Sequence, residues 1–300
     1  MRELVEQLAK GQRLDTKSLS ALLKQCTLDD SLLQFLRDYA VRTARQQFGL
    51  GIYIRGLIEL SSYCRNDCLY CGLRRSNRSA ERYRLTADEV MECCREGYKL
   101  GFRTFVMQGG EDGTHSDAWL EELICRIRSL YPDVAITLSL GERSEESYRR
   151  LKRAGANRYL LRHEAADEEL YASLHPDSRG IKHRLSCIEA LQRAEYQVGM
   201  GMMIGVKGQT IDHIAEDLLL VKKYDCQMVG IGPFLPHRAT PLGEEPAGDL
   251  RLTLAAVAIA RLLLPKALIP ATTALATLTP RGSTCRYVQK VLSSGLLSFD

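Results

Sequence analysis

The sequence predicts an α/β fold in which a TIM-type (β/α)8 barrel follows a helical N-terminal segment. Three observations carry the prediction. From Gly51 onward, short β-rich runs alternate with amphipathic stretches, the rhythm of βα units around a parallel sheet. Glycines and polar residues gather directly after those runs, where a barrel collects its functional loops. Before Gly51, Leu4, Val5 and Leu8, then Leu19, Leu22 and Leu23, then Leu32, Leu33, Leu36, Tyr39 and Ala40 recur at helical spacing.

Seven strands are expected, at 52–60, 104–108, 135–139, 158–161, 199–204, 228–231 and 268–271. Helices are expected between them at 87–100 with Thr86 as N-cap, then at 117–129, 144–154, 181–194, 211–224 and 253–264. The chain divides on this basis into an N-terminal helical cap (1–48), a barrel (49–282) and an atypical C-terminal tail (283–300).

Composition bounds the functional classes. With 300 residues, 26% charged and 45% apolar, the chain is long enough to bury a sizeable core. A net charge of +4 with no dense Lys/Arg block gives no case for nucleic acid as a partner. The opening MRELVEQLAKGQRLD is charged from the start, and no apolar run approaches the ~18 residues of a membrane span. A cytoplasmic enzyme with no membrane partner is the expectation. The ten cysteines agree, because they are dispersed through a long chain rather than packed into a short disulfide scaffold.

Three of those cysteines stand apart. Cys64, Cys68 and Cys71 lie in CRNDCLYCG, spaced x3 then x2, with Tyr70 directly before the last. Thiolates are the soft ligands of iron-sulfur clusters, and three of them on a four-iron cube leave one iron open for a substrate or cofactor. The competing reading is zinc, which in structural sites takes four ligands in paired knuckles; no second knuckle follows at the usual spacing. The remaining cysteines, Cys26, Cys93, Cys94, Cys125, Cys187, Cys226 and Cys285, are expected to be small buried apolar residues.

Other candidates sit at strand ends. Gln108, Gly109, Gly110 and Glu111 follow the second strand, and Ser139 ends the third. The two glycines read either as a tight turn or as a place where a ligand meets the backbone closely. Arg162 and Glu164 are two apart past the fourth strand and so face one side, into the barrel mouth or as a surface ion pair. His163, facing the other way, reads as a packed, hydrogen-bonded histidine. Arg184 could clasp a carboxylate with two parallel bonds or line a solvated helix face. His237 lies in a long strand-end loop suited to gating, Thr272 and Thr273 add hydroxyls to the rim, and Met200, Met202, Met203 and Met228 suit core packing.

Taken together, SSYCRNDCLYCGLRR, QGGED, TLSLGE, RYLLRHEAA, GMMIGVKGQTIDH, MVGIGPFLPH and IPATTA resemble the FeFe-hydrogenase maturase HydE family of radical S-adenosylmethionine (SAM) enzymes, over roughly residues 50–280. The cysteine motif belongs to that whole superfamily; RYLLRHEAA and VGIGPFLPH are more specific. The resemblance implies a barrel of the radical SAM kind, with Cys64, Cys68 and Cys71 holding a 4Fe-4S cluster whose open iron binds SAM. It implies SAM contacts from Gln108, Ser139, Glu164 and Arg184, a Gly109–Gly110–Glu111 turn at the methionyl amino group, and Arg162, Thr272 and Thr273 lining the inner cavity. It further implies homolytic SAM cleavage, an electron donor such as ferredoxin or flavodoxin, sister maturases as partners, and a small iron-containing substrate. Methylornithine synthase and biotin synthase, which share the barrel and cluster, leave an amino-acid-derived substrate as the rival. A metal-binding protein without catalysis is the rival of a different class. After Gly282 the likeness stops at STCRYVQKVLSSGLLSFD, which reads as a shifted frame or truncated product. A helix at 285–292 and a poor eighth strand at 296–299 are expected there, leaving the barrel incomplete at its last strand.

Overall fold

The computed structural model describes residues 1–51 and 53–278. Six parallel strands form one sheet in chain order: β1 (Gly56–Ser61), β2 (Thr104–Gly109), β3 (Ala135–Ser139), β4 (Arg158–Leu160), β5 (Gln197–Ile204) and β6 (Met228–Pro233). Sequential order with every neighbour parallel is the arrangement that right-handed βα crossovers produce, and it is that of a partial TIM-like barrel. The expected seventh strand at 268–271 is reduced to one parallel bridge, between Met228 and Leu268. Pro270 explains part of this, since a proline has no N–H to give a ladder. The expected helix at 285–292 and strand at 296–299 lie outside the described residues, as does Cys285.

Helices clothe one face of the sheet. Helix α4 (Ala87–Lys99) starts at a capping box in which Thr86 and Glu89 satisfy each other's backbone. Helices α5 (Asp117–Leu130), α6 (Glu145–Ala154), α8 (Ile181–Arg193), α9 (Ile211–Lys223) and α10 (Leu250–Leu263) agree with the expected segments to within a few residues at their ends. Two short helices escaped the sequence reading, α7 (Glu168–Leu174) and α11 (Thr273–Thr277). Each is under two full turns or little more, too short to show a 3.6-residue repeat.

The N-terminal helices α1 (Arg2–Ala9), α2 (Thr16–Leu28) and α3 (Asp30–Phe48) pack outside the barrel on α9 and α10. Leu19, Leu22, Leu23 and Cys26 of α2 are fully buried there, and Arg251 of α10 pairs with Asp30 at 2.6 Å. This second helical layer explains why α10 is buried around nearly its whole circumference, from Thr253 to Leu263.

Strand alternation separates two faces. Phe105 and Met107, Ile136 and Leu138, Val198, Met200, Met202 and Ile204 join the helix-facing core. The register sets Glu59 opposite Gln108 and Gln108 opposite Ser139, a polar row across three strands on the inner face. On β5 and β6 the inner face carries glycines instead. Gly201 pairs with Gly230, and a Cβ at Gly201 would overlap the Gly230 carbonyl oxygen, with the carbonyl carbon 2.9 Å away. Because the obstacle is backbone, it cannot rotate aside. Gly201→Ala is therefore expected to cost about 1–3 kcal/mol in urea denaturation, whereas Gly113→Ala, with open space around its Cβ position, changes the unfolding free energy by no more than ~0.5 kcal/mol.

Candidate active site

The cysteine loop follows β1 and is held from several sides. The Asp67 carboxylate, between Cys64 and Cys68, takes hydrogen bonds from Arg74 Nε at 2.9 Å and Nη2 at 2.5 Å, and from the Ser76 backbone N–H at 3.0 Å and hydroxyl at 2.9 Å. These bonds, led by Arg74, hold its carboxyl well below the usual carboxylate range. The Arg82 guanidinium gathers the carbonyls of Ser62, Leu73, Arg74 and Asn77. Tyr70 is fastened through its hydroxyl to His175 Nε2 at 2.9 Å, and His175 Nδ1 lies 2.8 Å from the Tyr171 carbonyl oxygen. The aromatic residue of the motif thus anchors the loop to α7.

Gly110 is the seat of this loop. A Cβ there would overlap the Tyr63 carbonyl and lie 2.5 Å from Cys64 Cβ. The Glu111 N–H points to Cys64 Sγ at 3.3 Å. The close approach that the glycines permit is therefore that of the cysteine loop itself. The Glu111 side chain is engaged as well: Oε2 accepts from Arg65 Nε at 2.9 Å, and Oε1 accepts from the Glu142 N–H at 2.9 Å. Its carboxylate passes so close over Gly141, which has φ of 74°, that a side chain at 141 would overlap it. Glu111 ties three rim loops together, and both of its carboxylate oxygens are engaged in doing so. Asp112 does the same one residue on, accepting from Ser61 Oγ at 2.7 Å and Arg84 Nε at 2.6 Å.

Cys64, Cys68 and Cys71 are each partly accessible. Burial, with the neighbouring thiols and Glu164 adding to it and Arg184 opposing it, pushes the Cys68 thiol up to about 12. Burial raises Cys71 as well. A metal must therefore displace protons on binding. Among the described residues the three sulfurs do not gather within 4.8 Å of one another, whereas sulfurs around a single zinc ion would lie about 3.8 Å apart. A cluster, by contrast, offers a different iron to each thiolate.

Arg162 and Glu164 do face the same side, with Arg162 Nε 3.4 Å from Glu164 Oε1. Glu164 has φ of 67°, a left-handed backbone unusual for a side chain of this size. A buried buttress holds that turn. The Asp217 carboxylate, fully buried on α9, accepts from the Ala166 N–H at 2.6 Å and lies 3.1 Å from His163 Nε2. His163, also fully buried, thus packs away from the site as expected. On the other side, Glu164 Oε2, Arg162 Nη2 and Thr272 Oγ1 are buried without a hydrogen-bond partner. Such orphaned groups cost free energy unless something polar completes them. A ligand bearing an amine, a carboxylate and hydroxyls, as SAM does, suits that set.

Arg184 sits on α8 with Nε 2.9 Å from Glu142 Oε1 and 3.3 Å from the Tyr171 hydroxyl. Burial opposes its charge, but Tyr171 and Glu142 outweigh burial and raise its pKa further. A cleft of about 260 Å³ joins Cys68, Glu111, Glu142, His175 and Arg184. Gln108 and Ser139 stand on the inner strand face rather than in this cleft; Gln108 Nε2 is 3.5 Å from Glu59 Oε1. His237 is exposed, with its ring close against Gly72 beside Cys71. Met200, Met202, Met203 and Met228 are buried. Cys93 and Cys125, expected to be buried, are exposed because they fall on the solvent side of α4 and α5. Arg82 and Asp217 were missed by the sequence reading, and Asp67, Asp112 and Glu142 were given no role of their own although they lie in CRNDCLYCG, QGGED and TLSLGE.

A loop of thiols fixed at the carboxyl rim of a parallel half-barrel, beside unpaired polar groups, defines a metal-dependent barrel enzyme. The family model for the radical SAM superfamily matches residues 58–221. The [FeFe] hydrogenase maturase subunit HydE of Thermotoga maritima is 47% identical over 238 residues, 79% of this chain and 68% of that protein. The 3-methylornithine synthase of Methanosarcina acetivorans is 29% identical over 268 residues, 89% of this chain and 75% of that one. Among solved structures, methylornithine synthase (PylB) superposes with a TM-score of 0.83 at 26% identity, covering 98% of this chain and 84% of that one. The chain belongs to the radical SAM superfamily and, within it, to the HydE family. It is accordingly an enzyme whose cofactors are a 4Fe-4S cluster and SAM. No helix among the described residues is long and apolar enough to cross a membrane.

Gly110→Ala is expected to unseat the cysteine loop. Iron and sulfide per chain after anaerobic reconstitution should fall below those of the unmodified protein, with a stability loss of about 2 kcal/mol by denaturation. Full iron retention by this variant would show that the loop does not depend on the seat.

Proposed function

We propose that this chain acts in assembly of the diiron cofactor of FeFe-hydrogenase, cleaving SAM reductively within its barrel to transform a small iron-containing precursor. The observation that carries the reading is the 47% identity to a hydrogenase maturase over most of the chain, combined with unpaired Glu164, Arg162 and Thr272 atoms at the inner rim. In this reading residues 49–282 form the catalytic unit, with 1–48 as its helical cap and 283–300 as an appended tail. The setting is cytoplasmic, with a ferredoxin or flavodoxin as electron donor and sister maturases as functional partners.

Cys64, Cys68 and Cys71 would hold the cluster. Once bound there, the cluster would supply the electron for reductive cleavage of SAM. The Glu164 carboxylate, with Oε2 unpaired, accepts hydrogen bonds from the polar groups of SAM, and Arg184 offers its guanidinium fork to the SAM carboxylate. Gln108 and Ser139, adjacent in register on the inner face, supply neutral donors and acceptors towards the barrel interior. Arg162 holds Glu164 in place and lines the cavity with Thr272 and Thr273. The Gly109–Gly110–Glu111 turn acts through its backbone, since its side chains are absent or engaged. A primary carbon radical attacks indiscriminately, so in this reading bound SAM and precursor must cover the inner face, where Leu57 and Glu59 of β1 are otherwise exposed.

Electron paramagnetic resonance of the reduced, anaerobically reconstituted protein tests the cofactor roles. The cluster signal should change on adding SAM and should be lost in Cys71→Ser. In Glu164→Gln the signal should persist, while the SAM concentration needed for the change rises about tenfold, or ~1.4 kcal/mol.

Substrate assays separate the maturase from its relatives. An iron carbonyl cyanide precursor should be consumed together with formation of deoxyadenosine. Deoxyadenosine formation that responds only to an amino-acid substrate would move the chain to the methylornithine synthase activity instead.

A further inference from the structure

Helix α8 places His183 and Cys187 four residues apart, one turn along the same face. Cys187 Sγ lies 3.7 Å from His183 Nε2. From the loop after β3, Glu142 brings Oε2 to within 3.4 Å of the same nitrogen. All three donor atoms lie within 4.8 Å of one another. Tetrahedral zinc with ordinary bond lengths would set sulfur and nitrogen about 3.5 Å apart and nitrogen and oxygen about 3.3 Å apart. The side chains are therefore close to ligand spacing without rearrangement of either backbone.

The donors are also held. Glu142 is fixed by its own N–H on Glu111 Oε1 at 2.9 Å, and its Oε1 is occupied by Arg184 Nε at 2.9 Å, which leaves Oε2 towards His183. Cys187 is buried, with the Arg143 carbonyl oxygen 4.0 Å from its sulfur. His183 is the more open corner, about one-third exposed. Two cations stand nearby and oppose a third. Arg179 Nη1 is 3.4 Å from His183 Nε2, but Arg179 is exposed and free to turn outward. Arg184 shares the Glu142 carboxylate, so that one anion lies between the guanidinium and the position of an ion.

We propose that Glu142, His183 and Cys187 form a second metal site for a divalent cation of the zinc class, with water as the fourth ligand. One thiolate, one imidazole and one carboxylate make a donor set soft enough to prefer zinc over magnesium or calcium. On binding, the Cys187 thiol releases its proton to solvent and the sulfur lone pair bonds to the metal. Neutral His183 and ionised Glu142 each give a lone pair, and nothing is oxidised or reduced. The thiolate and carboxylate together neutralise the dication. The site uses none of the cluster cysteines and would clamp the loop after β3 to α8 beside Arg184.

The test uses the full chain with its cluster in place, so that Cys64, Cys68 and Cys71 are occupied. The protein is given zinc, dialysed against a chromophoric chelator, and examined by zinc K-edge X-ray absorption. About one zinc per chain should remain, with one sulfur near 2.3 Å and three nitrogen or oxygen neighbours near 2.0 Å. His183→Ala and Cys187→Ser should each weaken retention at least about tenfold, while Cys93→Ser, at an exposed position, should leave it unchanged. Loss of all zinc to the chelator, equal retention by the His183 and Cys187 variants, or a shell of two or more sulfurs would each overturn the site. The sulfur count of the unmodified protein decides the matter even if a variant fails to fold.

Discussion

The cysteine loop can lie against the end of β2 only because residue 110 has no side chain. Gly110 lets the Tyr63 carbonyl and the Cys64 side chain occupy space that any Cβ would fill, and the next residue then donates its N–H towards Cys64 Sγ. Without that seat the loop would rise from the rim, and the bonds of Arg65 to Glu111 and of Ser61 to Asp112 would lose their partners. The position of the thiols, and of whatever they hold, follows from this one steric allowance.

Around that seat the rim is organised by carboxylates that serve structure rather than chemistry. Glu111 joins the loops after β1, β2 and β3; Asp67 closes the cysteine loop on itself; Asp217 pins the turn after β4 from behind. Glu111 and Asp67 are met by donors on both oxygens, the condition under which a buried charge can be tolerated, whereas Asp217 takes both of its contacts on Oδ1 and keeps Oδ2 unpaired. The contrast with Glu164 is instructive. It stands among these acids yet keeps one oxygen unpaired, on a turn held in a left-handed conformation. What sets Glu164 apart is that Arg162 Nη2 and Thr272 Oγ1 are buried and unpaired as well, so a polar ligand would complete several groups at once.

Much of this was legible locally. Alternating runs placed six strands and six long helices, because burial on one face imposes a period that survives in the sequence whatever the final topology. The thiol spacing was legible for a similar reason: ligands from one loop must be close in sequence. The short helices α7 and α11 and the single bridge at Leu268 were not legible, since elements of that length are decided by what they pack against. Cys93 and Cys125 were misjudged on the same ground, as the exposed side of a helix depends on where its neighbours lie.

The sequence alone determined the βα order, the cysteine motif and the family, because each is encoded in residues near one another along the chain. The tertiary structure decided which polar residues are spent and which are free. Glu111 and Glu164 look alike as acids after strands, yet one is locked between Arg65 and Glu142 and the other opens to the barrel. It likewise brought Glu142 to His183 and Cys187 across forty residues of chain. Such pairings depend on contacts between distant segments, and no local pattern records them.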